Sequence, residues 1–265
     1  MGPAPHYVGN PTSVSLPSLI SLSISTNPTL DFIIIVNPNN GPGTPPWWPN
    51  ADYVREIPKL NALPNVQMLG YVATTYCKRP ISEVFDDVAS YASWSSNFEF
   101  PSLRVDGIFF DETPNVYSDE AKTYLNDITK RVKEHTGIMK DRLVSSAHPQ
   151  IPVSRMMLIS LKVIHNPGSA PDSRFADPGP DVTTVFEESY ANFQTAKHQQ
   201  WLSTSPYERE RTNYMVHAVP EESIERFVYE LRRRAKYLFV TDLKVEYYQS
   251  LGKSWDRFVA ALGSD

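Results

Sequence analysis

VDGIFFDETP, residues 105–114, holds an uninterrupted apolar run, Gly107–Phe110, that stops on two adjacent acids, Asp111 and Glu112. A strand with one face in water alternates apolar and polar residues. A continuous run needs cover on both faces, as a parallel strand between helices has. The same kind of run recurs outward from this one, at Phe32–Val36, Val66–Val72, Leu158–Ile164, Val182–Phe186, Tyr214–Ala218 and Tyr237–Val240. Between the runs lie stretches with helical period. Val84, Phe85, Val88 and Ala92 share one face, as do Ala121, Tyr124, Leu125, Ile128 and Val132, and later Ile224, Phe227, Val228, Leu231 and Ala235. Ser118 is placed to cap the second of these helices, and Pro220-Glu221-Glu222 suits the start of the third. Strand–helix alternation specifies an α/β fold with a parallel sheet.

The chain has 265 residues, enough for one (β/α)₈ barrel across its whole length, since such barrels need about 250 residues. Seven strands are legible and a barrel has eight. The eighth is expected upstream of Phe32, within Val14–Ile24, although that stretch carries a proline and many serines. The expected organisation is therefore a single TIM-type barrel over 1–265, with an irregular N-terminal segment at 1–30 and an insertion at 138–157. The 23 prolines gather in connectors such as 38–49 and 167–180, as rigid loops do.

The composition narrows the function. A net charge of −5 with no basic run argues against a nucleic-acid partner. No apolar stretch approaches the roughly 20 residues of a membrane span, and no basic-then-apolar leader is visible at the N-terminus. The single Cys77 excludes an internal disulfide framework. Lys78 and Arg79 beside it would favour a thiolate, but no histidine base is placed by the sequence, so an inert thiol is expected. The six histidines show no zinc spacing, and neither metal nor cofactor is expected. NPNNGPG is too proline-laden for a phosphate loop. A monomer is expected.

In α/β barrels the active site lies at the C-terminal ends of the strands. Each run here ends in polar residues: Asn37 with Asn39, Tyr71 with Thr74, Asp111-Glu112, His165-Asn166, Glu187-Glu188, His217, and Thr241-Asp242. Converging on one mouth, they would build a carboxylate-rich pocket. Neighbouring side chains of a strand point to opposite faces, so both Asp111 and Glu112 reach one pocket only if the strand ends or bulges there. Close carboxylates repel, which raises one pKa and supplies a general acid. Glycoside hydrolysis needs such an acid and a second carboxylate, or one carboxylate orienting the substrate's own acetamido group. Glu187 would serve as acid/base partner or nucleophile. The alternative reading leaves Asp111 as a turn cap and Glu112 solvated, His165 and His217 as satisfied core or loop histidines, and Asn37 and Asn166 as turn residues before prolines. Trp47-Trp48 with Tyr53 form either a sugar-stacking platform or packing for a proline-rich loop. Arg232-Arg233-Arg234 reads as a solvated helix end.

FIIIVNPNNGPG (32–43), PNADY (49–53), PNVQMLGYVATTY (64–76), VDGIFFDETP (105–114), NPG (166–168), VFEESY (185–190) and FVTDL (239–243), with a late Tyr-Tyr and Trp, together resemble the spherulin-4-like family, which includes the fungal enzymes of glycoside hydrolase family 135. The resemblance implies a (β/α)₈ barrel that hydrolyses N-acetylgalactosamine-containing α-1,4-linked polysaccharide, such as the galactosaminogalactan of fungal walls and biofilms. It implies Asp111, Glu112 and Glu187 as the catalytic residues, with Glu188 the alternative to Glu187. Asn37, Asn39, Tyr71, His165, Asn166, Tyr190, His217 and Asp242 are the expected substrate contacts. It implies a secreted or wall-associated protein. A non-catalytic carbohydrate-binding or developmental wall protein on the same scaffold is the second expectation.

Overall fold

The computed structural model describes residues 16–43, 49–95, 102–134 and 161–263. Trp47-Trp48 and the insertion expected at 138–157 lie outside them. Among the described residues, seven strands form one sheet: β1 Phe32–Val36, β2 Val66–Ala73, β3 Gly107–Asp111, β4 Lys162–His165, β5 Val182–Ser189, β6 Thr212–His217 and β7 Tyr237–Val240. Each pairs in parallel with the next in sequence. The helices are α1 Leu16–Thr26, α2 Ala51–Asn61, α3 Ile81–Trp94, α4 Asp119–Glu134, α5 Tyr190–Phe193, α6 Ala196–Thr204, α7 Ile224–Arg232 and α8 Trp255–Gly263.

Every strand has an inner and an outer face. The outer set, including Met68, Val72, Ile108, Phe110 and Val163, packs under α1 to α4. Val185, Phe186, Tyr214, Val216 and Val240 pack under the later helices. The inner set forms one cluster to which all seven strands contribute, among them Ile35, Leu69, Phe109, Ile164, Val182, Met215 and Phe239. A single inner cluster requires the sheet to curl. Lys162 Nζ of β4 also donates to Tyr237 Oη of β7 at 2.7 Å, although three strand spacings, about 14 Å, separate those strands in a flat sheet. Two glycines permit the close packing. A Cβ on Gly107 would stand 2.0 Å from the Lys162 carbonyl oxygen, and one on Gly70 2.7 Å from the Tyr91 ring. The Tyr91 hydroxyl in turn bonds the Val36 and Tyr71 carbonyls, each at 3.0 Å.

The N-terminal expectation is corrected. Within Val14–Ile24 the structure has helix α1 from Leu16 onward, not an eighth strand. The proline that made a poor strand falls in the helix's first turn, where it breaks no hydrogen bond. Ile20 and Ile24, four residues apart, turn toward the core, and Ile24 is fully buried. Asn65, at the entry to β2, donates to the Ile24, Asn27 and Leu30 carbonyls and so satisfies the helix end. Trp255 Nε1 bonds Ser23 Oγ at 2.9 Å, joining α1 to the C-terminal helix. No ladder joins β7 to β1 among the described residues. The architecture is thus a curled, all-parallel seven-stranded sheet covered by helices.

Candidate active site

The strand ends converge on a compact polar cluster. Asp111, the last residue of β3, points inward. Tyr71 of β2 donates its hydroxyl to Asp111 Oδ2 at 2.7 Å, and Asn166 Nδ2 donates to Asp111 Oδ1 at 2.7 Å. The same Asn166 nitrogen donates to Glu187 Oε2. Two hydrogens on one amide nitrogen diverge by about 120°, so the acceptor oxygens of Asp111 and Glu187 lie about 4.5 Å apart. Asn166 is itself fixed: its Oδ1 accepts from Gly168 N at 3.0 Å, its N–H donates to the Phe110 carbonyl at 2.8 Å, and its carbonyl accepts from Thr113 N at 3.0 Å. Gly168, at φ +68°, returns its carbonyl to Glu187 N at 3.0 Å.

Glu112 follows at φ +52°, in the left-handed region a side chain rarely adopts. That turn ends the strand. Thr74 Oγ1 donates to the carbonyls of Asp111 at 3.0 Å and Glu112 at 2.8 Å, and Tyr76 N donates to the Glu112 carbonyl at 2.6 Å. No described residue donates to the Glu112 carboxylate, and its charge adds to the field that holds up the Tyr71 phenol.

Glu187 faces inward because of a bulge. The β5–β6 register slips between Thr184 and Phe186, so Val185 and Phe186 both join the outer cluster. Strict alternation from inward Val182 would have turned Glu188 inward and Glu187 out. With the slip, Glu187 pairs with inward Met215, while Glu188 is exposed and held by Ser189 N and Asn192 Nδ2. Burial raises the Glu187 carboxyl above its ordinary value, with Asp111 and Glu188 adding repulsion, against the donated hydrogen bonds of Tyr248 and Asn166. Tyr71 is held well above the usual tyrosine range by burial and then by Asp111, so its hydroxyl stays a donor.

The loop after β7 completes the cluster through Tyr248, which was not singled out from the sequence as a site residue although the Tyr-Tyr pair was noted. Tyr248 donates its hydroxyl to Glu187 Oε1 at 2.5 Å. Its ring is half exposed at the mouth and leans on Phe239 and Tyr247, 5.5 and 4.5 Å away centroid to centroid. Tyr247 stacks on His217 at 4.4 Å with the planes 6° apart. Asp242, expected to contact substrate, instead anchors this loop: its Oδ1 accepts from Ser254 N at 3.1 Å and Ser254 Oγ at 2.8 Å.

Other expected contacts are placed elsewhere. His165 is one residue past inward Ile164 and so turns outward, where it is buried, bonds Thr129 of α4 through Nε2 at 3.0 Å and packs on Phe110. Tyr190 turns from the mouth to pack edge-on against Phe227, 4.9 Å away. Asn37 Oδ1 accepts from Gly41 N at 2.9 Å, which makes it a turn residue, and Asn39 is exposed in that turn. Tyr53 donates to the Asn37 carbonyl at 3.0 Å. His217 does reach the mouth, beneath Tyr247. Cys77 is half-buried, and burial pushes its thiol up to about 12, opposite to what Lys78 and Arg79 would favour, so it is an inert thiol. Among the described residues no group of three or more His, Cys, Asp or Glu could hold a metal ion, and no helix is long and apolar enough to cross a membrane.

The family model for the spherulation-specific family 4 matches residues 10–262. The crystal structure of Aspergillus clavatus Sph3 in complex with GalNAc superposes with a TM-score of 0.81, at 37 % identity, over 94 % of this chain and 92 % of that one. Spherulin-4 of Physarum polycephalum is 26 % identical over 183 residues, 69 % of this chain. The match spans 44 % of that curated relative, less than half its length.

Proposed function

The chain belongs to the spherulation-specific family 4, and from that we propose that it is a glycoside hydrolase acting on an α-1,4-linked polysaccharide containing N-acetylgalactosamine. The observation that carries this reading is the single Asn166 nitrogen donating to both Asp111 and Glu187. Two carboxylates, one meeting the Tyr71 and Asn166 donors and one raised by burial, hold their Asn166-bonded oxygens about 4.5 Å apart at the mouth of a curled parallel sheet. The likeness to a protein crystallised with GalNAc supports an amino-sugar ligand. We take the seven described strands as most of a (β/α)₈-type barrel.

Glu187 is the general acid. Its proton passes to the glycosidic oxygen as the bond from the anomeric carbon breaks. Asp111, oriented by Tyr71 and Asn166, meets the positive charge developing on the sugar. It does so by attacking the anomeric carbon, or by accepting the acetamido N–H while that group's carbonyl oxygen attacks. Glu187, now a carboxylate, takes a proton from the water that resolves the intermediate. The open carboxylate of Glu112 and the His217–Tyr247 pair line the substrate's approach. A polymer of this kind places the protein outside the cell or at the wall, acting as a monomer. The test is to incubate the protein with the polymer and follow product by mass spectrometry. Release of amino-sugar oligosaccharides is expected. Retention of the polymer in a pull-down without product would instead make the protein a carbohydrate-binding member of the family.

A further inference from the structure

We propose that Tyr248 is a positioning residue that places the Glu187 proton on one particular oxygen, Oε1, through a hydroxyl able to reverse its direction. The proposal rests on Glu187 being the acid of the reaction proposed above. Glu187 Oε2 faces Asn166 Nδ2, an amide nitrogen that donates and cannot accept. Its two hydrogens are committed, one to Asp111 and one to Glu187. A proton on Oε2 would therefore be aimed at another donor. Glu187 Oε1 faces a phenol oxygen, which both donates and accepts. Tyr248 Oη also lies 3.9 Å from Met215 Sδ, a weak acceptor.

Two arrangements follow. While Glu187 is ionised, Tyr248 donates to Oε1. When Glu187 carries a proton, that proton sits on Oε1 and is donated to Tyr248 Oη, and the phenolic hydrogen turns to Met215 Sδ. When the proton leaves for the glycosidic oxygen, the phenolic hydrogen turns back to the new carboxylate, and the tyrosine gains and loses nothing. The ring is held for this role between Phe239 and Tyr247, on a loop anchored by Asp242 and Ser254. Among the described residues, the other charged or titratable groups facing Glu187 are Asp111, with Glu112 beyond it after β3, Glu188 on β5, His217 beside Glu188 on β6, Tyr71 on β2 and Tyr247 on the loop. None of them changes in the variants below.

The experiment is a ¹³C NMR titration of protein labelled at glutamate carboxyls, with the Glu187 signal assigned by its absence from Glu187→Gln. Tyr248→Phe removes a hydrogen bond to the charged form, so the Glu187 midpoint is expected to rise by about one pH unit. Met215→Leu, which conserves volume, removes the acceptor used only in the protonated arrangement, so the midpoint is expected to fall by a few tenths of a unit. Opposite signs are what loosened packing alone would not give. A Tyr248→Phe midpoint that stays or falls, or a Met215→Leu midpoint that stays or rises, overturns the proposal. Met215→Leu suffices if Tyr248→Phe does not fold. The titration needs no substrate, so it is decided independently of whether wild-type protein cleaves the polymer.

Discussion

At the residue level, the site turns on which groups a carboxylate meets. Asp111 was legible because it ends an apolar run, and Asn166 because it ends the next. The hydrogen bond between them was not legible, since it depends on the β3–β4 register that sets Phe110 beside His165. Asn166 was expected to touch substrate, and its amide is instead spent on two carboxylates. Glu187 carries a cost that its removal should expose. Burial favours its protonated form in the folded state, so the folded protein loses stability as pH rises from the ordinary carboxylate range through the raised value. Below that range both states are protonated and the cost vanishes. Glu187→Gln keeps an acceptor toward Asn166 and a donor toward Tyr248. It should raise the melting temperature at pH 7 by on the order of 1–3 °C and leave it unchanged at pH 4, read by calorimetry. An oxygen–oxygen separation of about 4.5 Å, well short of the roughly 6.5–9.5 Å of an inverting pair, also predicts retention of anomeric configuration in the first-formed product, visible by proton NMR.

Among the elements, period and parity explain both what the sequence showed and what it hid. The seven apolar runs read correctly as strands because both faces are buried, the outer under helices and the inner against the other strands of the curled sheet. Leu16–Thr26 read wrongly because a serine-rich run shows little period, and its Pro17 was weighed as a strand defect although it fits a helix start. His165 was misplaced because proximity to a strand end was given more weight than alternation: after inward Ile164 it had to face α4. Glu187 and Glu188 could not be separated by alternation at all, since the bulge between Thr184 and Phe186 reverses it. That bulge makes a sharp prediction. Glu188→Gln, an exposed change, should leave kcat/KM within about threefold, whereas Glu187→Gln should not. Gly107 yields another. A methyl group 2.0 Å from the Lys162 carbonyl would force β3 and β4 apart, so Gly107→Ala should cost at least about 3 kcal/mol by denaturant unfolding.

Over the whole molecule, the curled sheet does two things. It gathers inner side chains from seven strands into one cluster, and it sets the polar strand ends around one mouth. It also buries His165 behind that mouth, where loss of water, helped by the charge of Lys122, pushes the imidazole from 6.5 to about 3. The unfolded chain takes up that proton below about 6.5 and the folded chain does not until about 3. Stability is therefore full above that window and falls as the medium is acidified through it. The unfolding midpoint should drop over this range, with a shallower slope in His165→Gln. The most direct measurement on the molecule's function is polymer hydrolysis by Glu187→Gln, with affinity for the same polymer determined in parallel. Removing a general acid predicts a fall in turnover of about 10²–10⁴-fold with binding retained. Turnover equal to wild type in this variant would contradict a catalytic role for the Asp111–Glu187 pair.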